Sequence, residues 1–99
     1  MTGRVQNKAC VVTGAGSGIG KATALRLAEE GGKVVVSDIN LESAQKVAEE
    51  IKNKGQIAIA IKTDVSNDKE AQELIETCVK EFGTVHVVVN SAEIGRAHV

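Results

Sequence analysis

The chain of 99 residues contains no tyrosine, tryptophan or proline, and it has a single phenylalanine. No apolar run approaches the ~20 residues that a membrane-spanning helix needs. The formal net charge is only −1, which provides no strong attraction to nucleic acid or to an acidic membrane surface. The start of the chain also lacks the charged and then apolar segment of a secretory signal, so a cytoplasmic location is the default expectation.

Cysteine is scarce as well, with only Cys10 and Cys78 present. Cys10 lies in a short apolar run, and Cys78 lies on the apolar face of a predicted helix. Two cysteines in these settings are more typical of small core residues than of a disulfide, a metal site or a nucleophile. We therefore predict no metal site.

The most informative stretch is residues 8–20, where the apolar run from Ala9 to Val12 is followed by four glycines in seven residues. A helical pattern begins directly after these glycines. A helix N-terminus offers unpaired N–H groups and about half a positive charge. Glycine lets the backbone come close to a pyrophosphate, whereas a Cβ would block that approach. This stretch therefore predicts a phosphate-binding loop.

The remainder of the chain alternates buried-strand runs with amphipathic helices. The predicted first helix covers residues 19–30, with an apolar face formed by Ile19, Ala22, Leu25 and Ala28. Asn40 is expected to cap the second helix, and Ser66 or Asn67 the third. Gly55 and Gly83 are expected to end these two helices. The predicted strands cover residues 9–12, 33–37, 57–61 and 85–89.

Strands that are apolar throughout, joined by amphipathic helices, indicate an α/β fold with a parallel sheet covered on both faces. Right-handed crossovers give the N-terminal half of a Rossmann-type doubly wound sheet, β-α-β-α-β-α-β, with strand order 3-2-1-4. The glycine loop then lies at the carboxyl end of the first strand, beside the point where the strand order reverses. A chain of this length forms at most one domain.

An acidic residue, Asp38, closes the second predicted strand 18 residues after Gly20. In such a sheet an acid at this place accepts hydrogen bonds from an adenosine ribose. It would also repel a 2′-phosphate, and Ile39 and Asn40 bring no cation to offset that repulsion. The sequence therefore favours NAD over NADP. A simple loop or capping role for Asp38 is the alternative.

The spacing of the loop excludes two common phosphate motifs. Gly-x-Gly-x-x-Gly fails at its third glycine, where Ile19 stands. The P-loop pattern ending at Gly20-Lys21 lacks its first glycine and its Ser or Thr. The pattern that fits is Thr-Gly-x-x-x-Gly-x-Gly, at Thr13, Gly14, Gly18 and Gly20. This pattern resembles the short-chain dehydrogenase/reductase family, and the resemblance extends over about residues 5–92.

The resemblance implies an NAD(P)-dependent oxidoreductase that interconverts alcohols and carbonyls of small molecules by hydride transfer, in a homo-oligomer. It also implies adenine contacts by Asp64-Val65 and a cofactor groove lined by Asn90-Ser91-Ala92, although Glu93 replaces a family glycine. The full set of expected cofactor-binding residues is Thr13, Gly14, Ser17, Gly18, Ile19, Gly20, Asp38, Ile39, Asp64, Val65, Asn90, Ser91 and Ala92.

In the family, a Tyr-x-x-x-Lys pair on a later helix supplies general acid/base catalysis, with a Ser and an Asn before it. This chain has no tyrosine, and none of its serines lies in the matching segment. No catalytic residue can therefore be assigned. We expect the chain to be an N-terminal fragment of a dehydrogenase that is inactive alone and binds only the adenosine and pyrophosphate part of the cofactor.

The last seven residues, from Glu93 to Val99, show no helical or strand period. One possible back-translation is GAG ATC GGA AGA GCA CAC GTC, which from its second base matches a common short-read sequencing adapter. We therefore expect residues 1–92 to be the first part of a dinucleotide-binding domain and residues 93–99 to be a non-native tail.

Two other classes of protein remain open. Methyltransferases that use S-adenosylmethionine also place a glycine loop after the first strand and an acid after the second. The spacing from Thr13 to Gly20 and the Asp64-Val65 pair favour the dehydrogenase. A non-catalytic nucleotide-sensing module, which keeps the fold without the chemistry, is the other alternative.

Overall fold

The computed structural model describes residues 5–91, in which strands and helices alternate along the chain. The strands are β1 (Ala9–Thr13), β2 (Lys33–Asp38), β3 (Ile57–Lys62) and β4 (Val87–Asn90). The helices are α1 (Gly18–Glu29), α2 (Leu41–Asn53) and α3 (Asp68–Phe82). Every predicted element is present, with ends that differ from the predicted ones by one or two residues. Of the helices in this part of the chain, none is both long and apolar enough to cross a membrane.

All four strands are parallel, and their order in the sheet is β3-β2-β1-β4. This order confirms the predicted 3-2-1-4 arrangement and the α/β fold. Val12 of β1 pairs with Val36 of β2 on one side and with Val89 of β4 on the other. The carboxyl ends of β1 and β2 therefore lie side by side. The glycine loop follows β1, and Asp38 is the last residue of β2.

The core forms two layers because successive strand residues point to opposite faces of the sheet. On one face, strand residues such as Val12 and Val36 pack against α1 and α2. On the other face, Val11 and Val35 pack against Leu74 and Cys78 of α3. Cys10 and Cys78 are both free and fully buried, which agrees with their predicted role as core residues.

The predicted apolar face of α1 is partly confirmed, since Ala28 is buried and Leu25 packs against the core, but it is wrong for Ile19 and Ala22. Ile19 is 67% exposed and Ala22 is also exposed, whereas the buried residues are Gly20, Ala24 and Ala28. These small residues recur every four positions, and they form the fully buried stripe of α1. Gly20 allows the close approach of the helix to the glycine loop, and the partly buried Leu25 and Leu27 pack against the same core beside the stripe.

Helix ends follow the predicted caps more closely. The Asn40 side chain accepts a hydrogen bond from Ser43 N–H at the start of α2. Asn67, and not Ser66, caps α3, accepting from the N–H groups of Lys69 and Glu70. Gly83 ends α3 with φ 86°, a conformation that favours glycine.

Strand β4 starts two residues later than predicted. The side chain of His86 explains this, since its Nδ1 accepts a hydrogen bond from Ala9 N–H at 3.0 Å. The backbone N–H of His86 donates to Ala9 O. The regular ladder therefore begins with the pair Cys10 and Val87. Within residues 5–91, β4 pairs only with β1, and Val88 is 54% exposed on it. The predicted non-native tail lies outside the described residues, and so does Ala92.

Candidate functional site

A groove of about 320 Å³ opens at the carboxyl ends of β1, β2 and β3. It brings together six of the thirteen residues predicted to bind cofactor, from three separate loops, and adds one residue that the sequence did not indicate. The lining residues are Gly14, Ser17, Asp38, Ile39, Thr63, Asp64 and Val65. None of them is a lysine or an arginine.

The glycine loop forms one wall of this groove. Gly14 and Gly18 have φ values of 62° and 56°, in the left-handed region that favours glycine. Ser17 is the N-cap residue of α1, but its side chain makes no capping hydrogen bond. The first turn of α1 contains no acidic residue either. By contrast, α2 and α3 both have an asparagine cap and acidic residues in their first turns. The positive end of α1 therefore lies beside the groove without a capping side chain or an acidic residue from the helix itself.

Close packing of helix on loop explains the last glycine of the motif. A Cβ on Gly20 would overlap the carbonyl oxygen of Gly14 and lie 2.7 Å from its carbonyl carbon. No other residue therefore fits at position 20 without moving α1 away from β1. Gly20 is buried, and it shapes the site without lining the groove.

Asp38 lies at the centre of the site. Its Oδ2 accepts a hydrogen bond from Gly16 N–H at 2.9 Å, and its Oδ1 accepts one from Asn40 N–H at 2.9 Å. A carboxylate has about four lone-pair positions, so both oxygens keep capacity for a further donor. The structure thus gives Asp38 a local role in joining two loops, and also places it on the groove wall.

The residues that directly follow β3 form another wall of the groove. Thr63 is 3% exposed, and its N–H donates to Asp38 O at 3.0 Å, which joins this wall to β2. The carboxylate of Asp64 accepts from both the N–H and the hydroxyl of Ser66, at 3.0 and 2.6 Å. Asp64 N–H donates to the Glu70 side chain at 3.0 Å. Asp64 therefore orders the turn before α3 while facing the groove.

Thr63 was missed by the sequence analysis because it carries no motif. The topology gives the only signal for it, since it follows β3 directly and β3 is the neighbour of β2. Residues after adjacent parallel strands meet at the same edge of the sheet, so position 63 could have been included on that ground.

Five of the remaining predicted residues lie beside the groove or beneath it. Gly18 and Ile19 begin α1 next to Ser17, and Ile19 is largely exposed. Thr13 is buried at the end of β1, and its hydroxyl donates to Asn90 Oδ1 at 2.8 Å. The hydroxyl of Ser91 is buried and has no hydrogen-bond partner among the described residues.

Neither cysteine lies on the groove. Burial raises the pKa of the Cys10 thiol, and the nearby Cys78 raises it further, while Lys8 lowers it. Burial also raises the pKa of Cys78. Raised thiol pKa values disfavour the thiolate, which argues against a nucleophilic role for either residue. Within residues 5–91, no group of three or more acidic, histidine or cysteine side chains could hold a metal ion.

Comparison with known proteins places this geometry in a family. The family model described as short chain dehydrogenase matches residues 8–99. A cyclohexanol dehydrogenase from Acinetobacter sp. (strain SE19) is 48% identical over 94 residues, which cover 95% of this chain and 38% of the relative. An (S)-acetoin-forming diacetyl reductase from Staphylococcus epidermidis is 43% identical over 88 residues, covering 89% of this chain and 34% of the relative.

Solved structures agree with these relatives. A 7α-hydroxysteroid dehydrogenase solved in complex with NADH and 7-oxo glycochenodeoxycholic acid matches with a TM-score of 0.86 and 39% identity. The match covers 88% of this chain and 34% of that one. The chain thus spans little more than a third of the length of the proteins it resembles. With its motif, its strand order and these matches, the chain belongs to the short-chain dehydrogenase family.

Proposed function

We propose that this chain forms the adenosine- and pyrophosphate-binding part of an NAD-dependent oxidoreductase that interconverts an alcohol and a carbonyl by hydride transfer. One observation carries the proposal. The uncapped N-terminus of α1, without an acidic residue in its first turn, opens on the same groove as Asp38. Dinucleotides need this combination, because an anion and a ribose lie a short distance apart in the same molecule.

Each part of the dinucleotide has residues suited to it. Gly14, Ser17 and the first turn of α1 would hold the pyrophosphate with backbone N–H groups. Asp38 would accept hydrogen bonds from the adenosine ribose. Ile39 and Val65 supply apolar surface for the adenine ring, and Asp64 lies beside them. Bound NAD supplies the hydride acceptor, and the residues of this chain bind and orient it.

The electrostatics of the groove favour NAD over NADP. Two acidic residues, Asp38 and Asp64, line the groove, and no lysine or arginine within residues 5–91 lines it. A 2′-phosphate would meet negative charge, and none of the described lining residues offers a cation to pair with it. The 7α-hydroxysteroid dehydrogenase that this chain resembles was solved with NADH, which supports the same preference.

Catalysis is proposed to need residues beyond this chain, since the family's tyrosine is absent from it. We propose that the chain is the first part of a longer enzyme, called the full-length protein below, and that the 99 residues alone have no dehydrogenase activity. Residues 93–99 are proposed to be non-native. The original nucleotide sequence tests that point, because codons different from the adapter sequence would contradict it.

The proposed function is tested by ligand-dependent thermal stability of the full-length protein. A ligand that binds only the folded state at a hundred times its Kd stabilises that state by about 2.7 kcal/mol. We expect NADH to raise the Tm by several degrees, NADPH to raise it less, and S-adenosylmethionine to leave it unchanged. A rise with S-adenosylmethionine and none with NADH would favour the methyltransferase alternative, which the family match does not support.

A further inference from the structure

We infer that Asp38 is also a positioning residue for the pyrophosphate, which it would influence through the N–H of Gly16 as well as by contact with a ribose. This inference rests on the proposed function, and it adds Gly16, which the glycine motif leaves unspecified, to the residues that determine affinity. It starts from the hydrogen bond between Gly16 N–H and Asp38 Oδ2, at 2.9 Å.

Two consecutive N–H groups attach the glycine loop to β2. Ala15 N–H donates to the Ser37 carbonyl at 2.8 Å, and Gly16 N–H donates to the Asp38 carboxylate. The first bond is made by backbone alone, whereas the second depends on the side chain at position 38. The next residue, Ser17, caps the helix proposed to hold the pyrophosphate. Because Gly16 directly precedes Ser17, loss of the Asp38 carboxylate would affect the N-terminus of α1 through Gly16.

The Asp38 carboxylate is held from its other side as well. Its Oδ1 accepts from Asn40 N–H at 2.9 Å, and Asn40 caps α2. The carboxylate thus connects the glycine loop to the start of α2. It cannot turn away from the loop without losing one of two charge-assisted hydrogen bonds.

The surroundings of Gly16 leave too little space for a side chain. A Cβ there would lie 2.9 Å from Asp38 Oδ2 and 2.7 Å from the Cβ of Ser43 in α2. Gly16 does not have a positive φ, so an alanine at this position would bring crowding without backbone strain. Any side chain at position 16 must displace the carboxylate, the first turn of α2, or both.

A positioning role for Asp38 and a role limited to the ribose predict different effects on pyrophosphate binding when the Asp38 carboxylate is removed. If Asp38 met only the ribose, its removal would leave inorganic pyrophosphate binding unchanged, or would tighten it by removing a negative charge. If Asp38 positions the loop, its removal weakens pyrophosphate binding. Inorganic pyrophosphate contains no ribose, and adenosine contains no phosphate, so these two probes separate the roles.

The experiment measures displacement of NADH from the full-length protein by pyrophosphate and by adenosine. We expect Asp38→Ala to weaken both probes, pyrophosphate by roughly tenfold, because the charge-assisted hydrogen bond that holds the loop is lost. Asp38→Asn, which keeps the shape but can serve only one of the two N–H donors with its single oxygen, should give an intermediate loss. Glu42→Gln is the matched control, because it removes a carboxylate from the first turn of α2 and should leave pyrophosphate binding unchanged.

A double-mutant cycle completes the test. Gly16→Ala should weaken NADH binding by roughly tenfold in the wild-type background and by clearly less in the Asp38→Ala background, where Oδ2 is absent. Additive effects, or unchanged or tighter pyrophosphate binding in Asp38→Ala, would overturn the inference. If the wild-type protein binds no NADH, the proposed function itself fails, and the two failures are therefore distinguishable.

Discussion

The hydroxyl of Thr13 donates a hydrogen bond to Asn90 Oδ1 at 2.8 Å and so joins the carboxyl end of β1 to that of β4. The two residues are direct partners in the strand register. Thr13 also begins the glycine motif, immediately before Gly14. This side-chain bond therefore fixes the base of the glycine loop to the neighbouring strand, on the side opposite to Asp38.

The first prediction concerns this bond. Thr13→Val keeps the shape of the side chain and removes the hydroxyl, so it should lower the free energy of unfolding of the full-length protein by about 1 kcal/mol. Thr13→Ser keeps the hydroxyl and serves as the control for the bond itself. Urea unfolding measures both variants. Equal stability of Thr13→Val and the wild type would show that the bond contributes nothing.

The second prediction concerns the contact between Gly20 and Gly14. Gly20→Ala places a methyl group against the Gly14 carbonyl, which forces α1 away from β1. Overpacking of this kind costs about 1–3 kcal/mol, and the displaced helix terminus should weaken NADH binding by more than tenfold. Fluorescence titration with NADH and urea unfolding test the two effects. Normal affinity would remove this helix from the site.

Cofactor preference gives the third prediction. Asp38→Ser combined with Ile39→Arg removes the repelling carboxylate and adds a guanidinium that can pair with a 2′-phosphate. The ratio of kcat/KM for NADP to that for NAD should rise at least tenfold in the full-length protein. Total activity should fall, because the loss of Asp38 also frees Gly16 N–H. An unchanged ratio would refute the assignment of Asp38.

Burial of the two thiols leads to the fourth prediction. The pKa values of Cys10 and Cys78 are raised in the folded state, so above about pH 8.5, the usual thiol pKa, the unfolded state loses these protons first. Stability is therefore fully present below that pH and decreases as the pH rises towards the folded-state values. Urea unfolding across this range should show a shallower decline for Cys10→Ala with Cys78→Ala, and an identical decline would contradict the prediction.

The sequence predicted the sheet well because its signals are local and strong. Val34-Val35-Val36 is apolar throughout, and such a run in a βαβ pattern can only be a strand buried on both faces. The strand order then followed from the handedness of crossovers. That order places the carboxyl ends of β1 and β2 side by side. It therefore predicts that the glycine loop lies next to Asp38.

What the sequence did not show depends on contacts between segments. Ile19 was expected in the core, but the close approach of Gly20 to Gly14 turns it outward. Gly16 and Asp38 are 22 residues apart, and no periodicity indicates a bond between a backbone N–H and a distant carboxylate. The delayed start of β4 similarly reflects the His86 side chain, which occupies the N–H of Ala9.

The central claim is that the groove between the glycine loop, Asp38 and Val65 binds the adenosine half of NAD. A crystal structure of the full-length protein with NADH tests it most directly. We predict the pyrophosphate at the N-terminus of α1 and an adenosine ribose hydroxyl within hydrogen-bond distance of the Asp38 carboxylate. NADH bound elsewhere, or a ribose turned away from Asp38 towards solvent, would contradict the account.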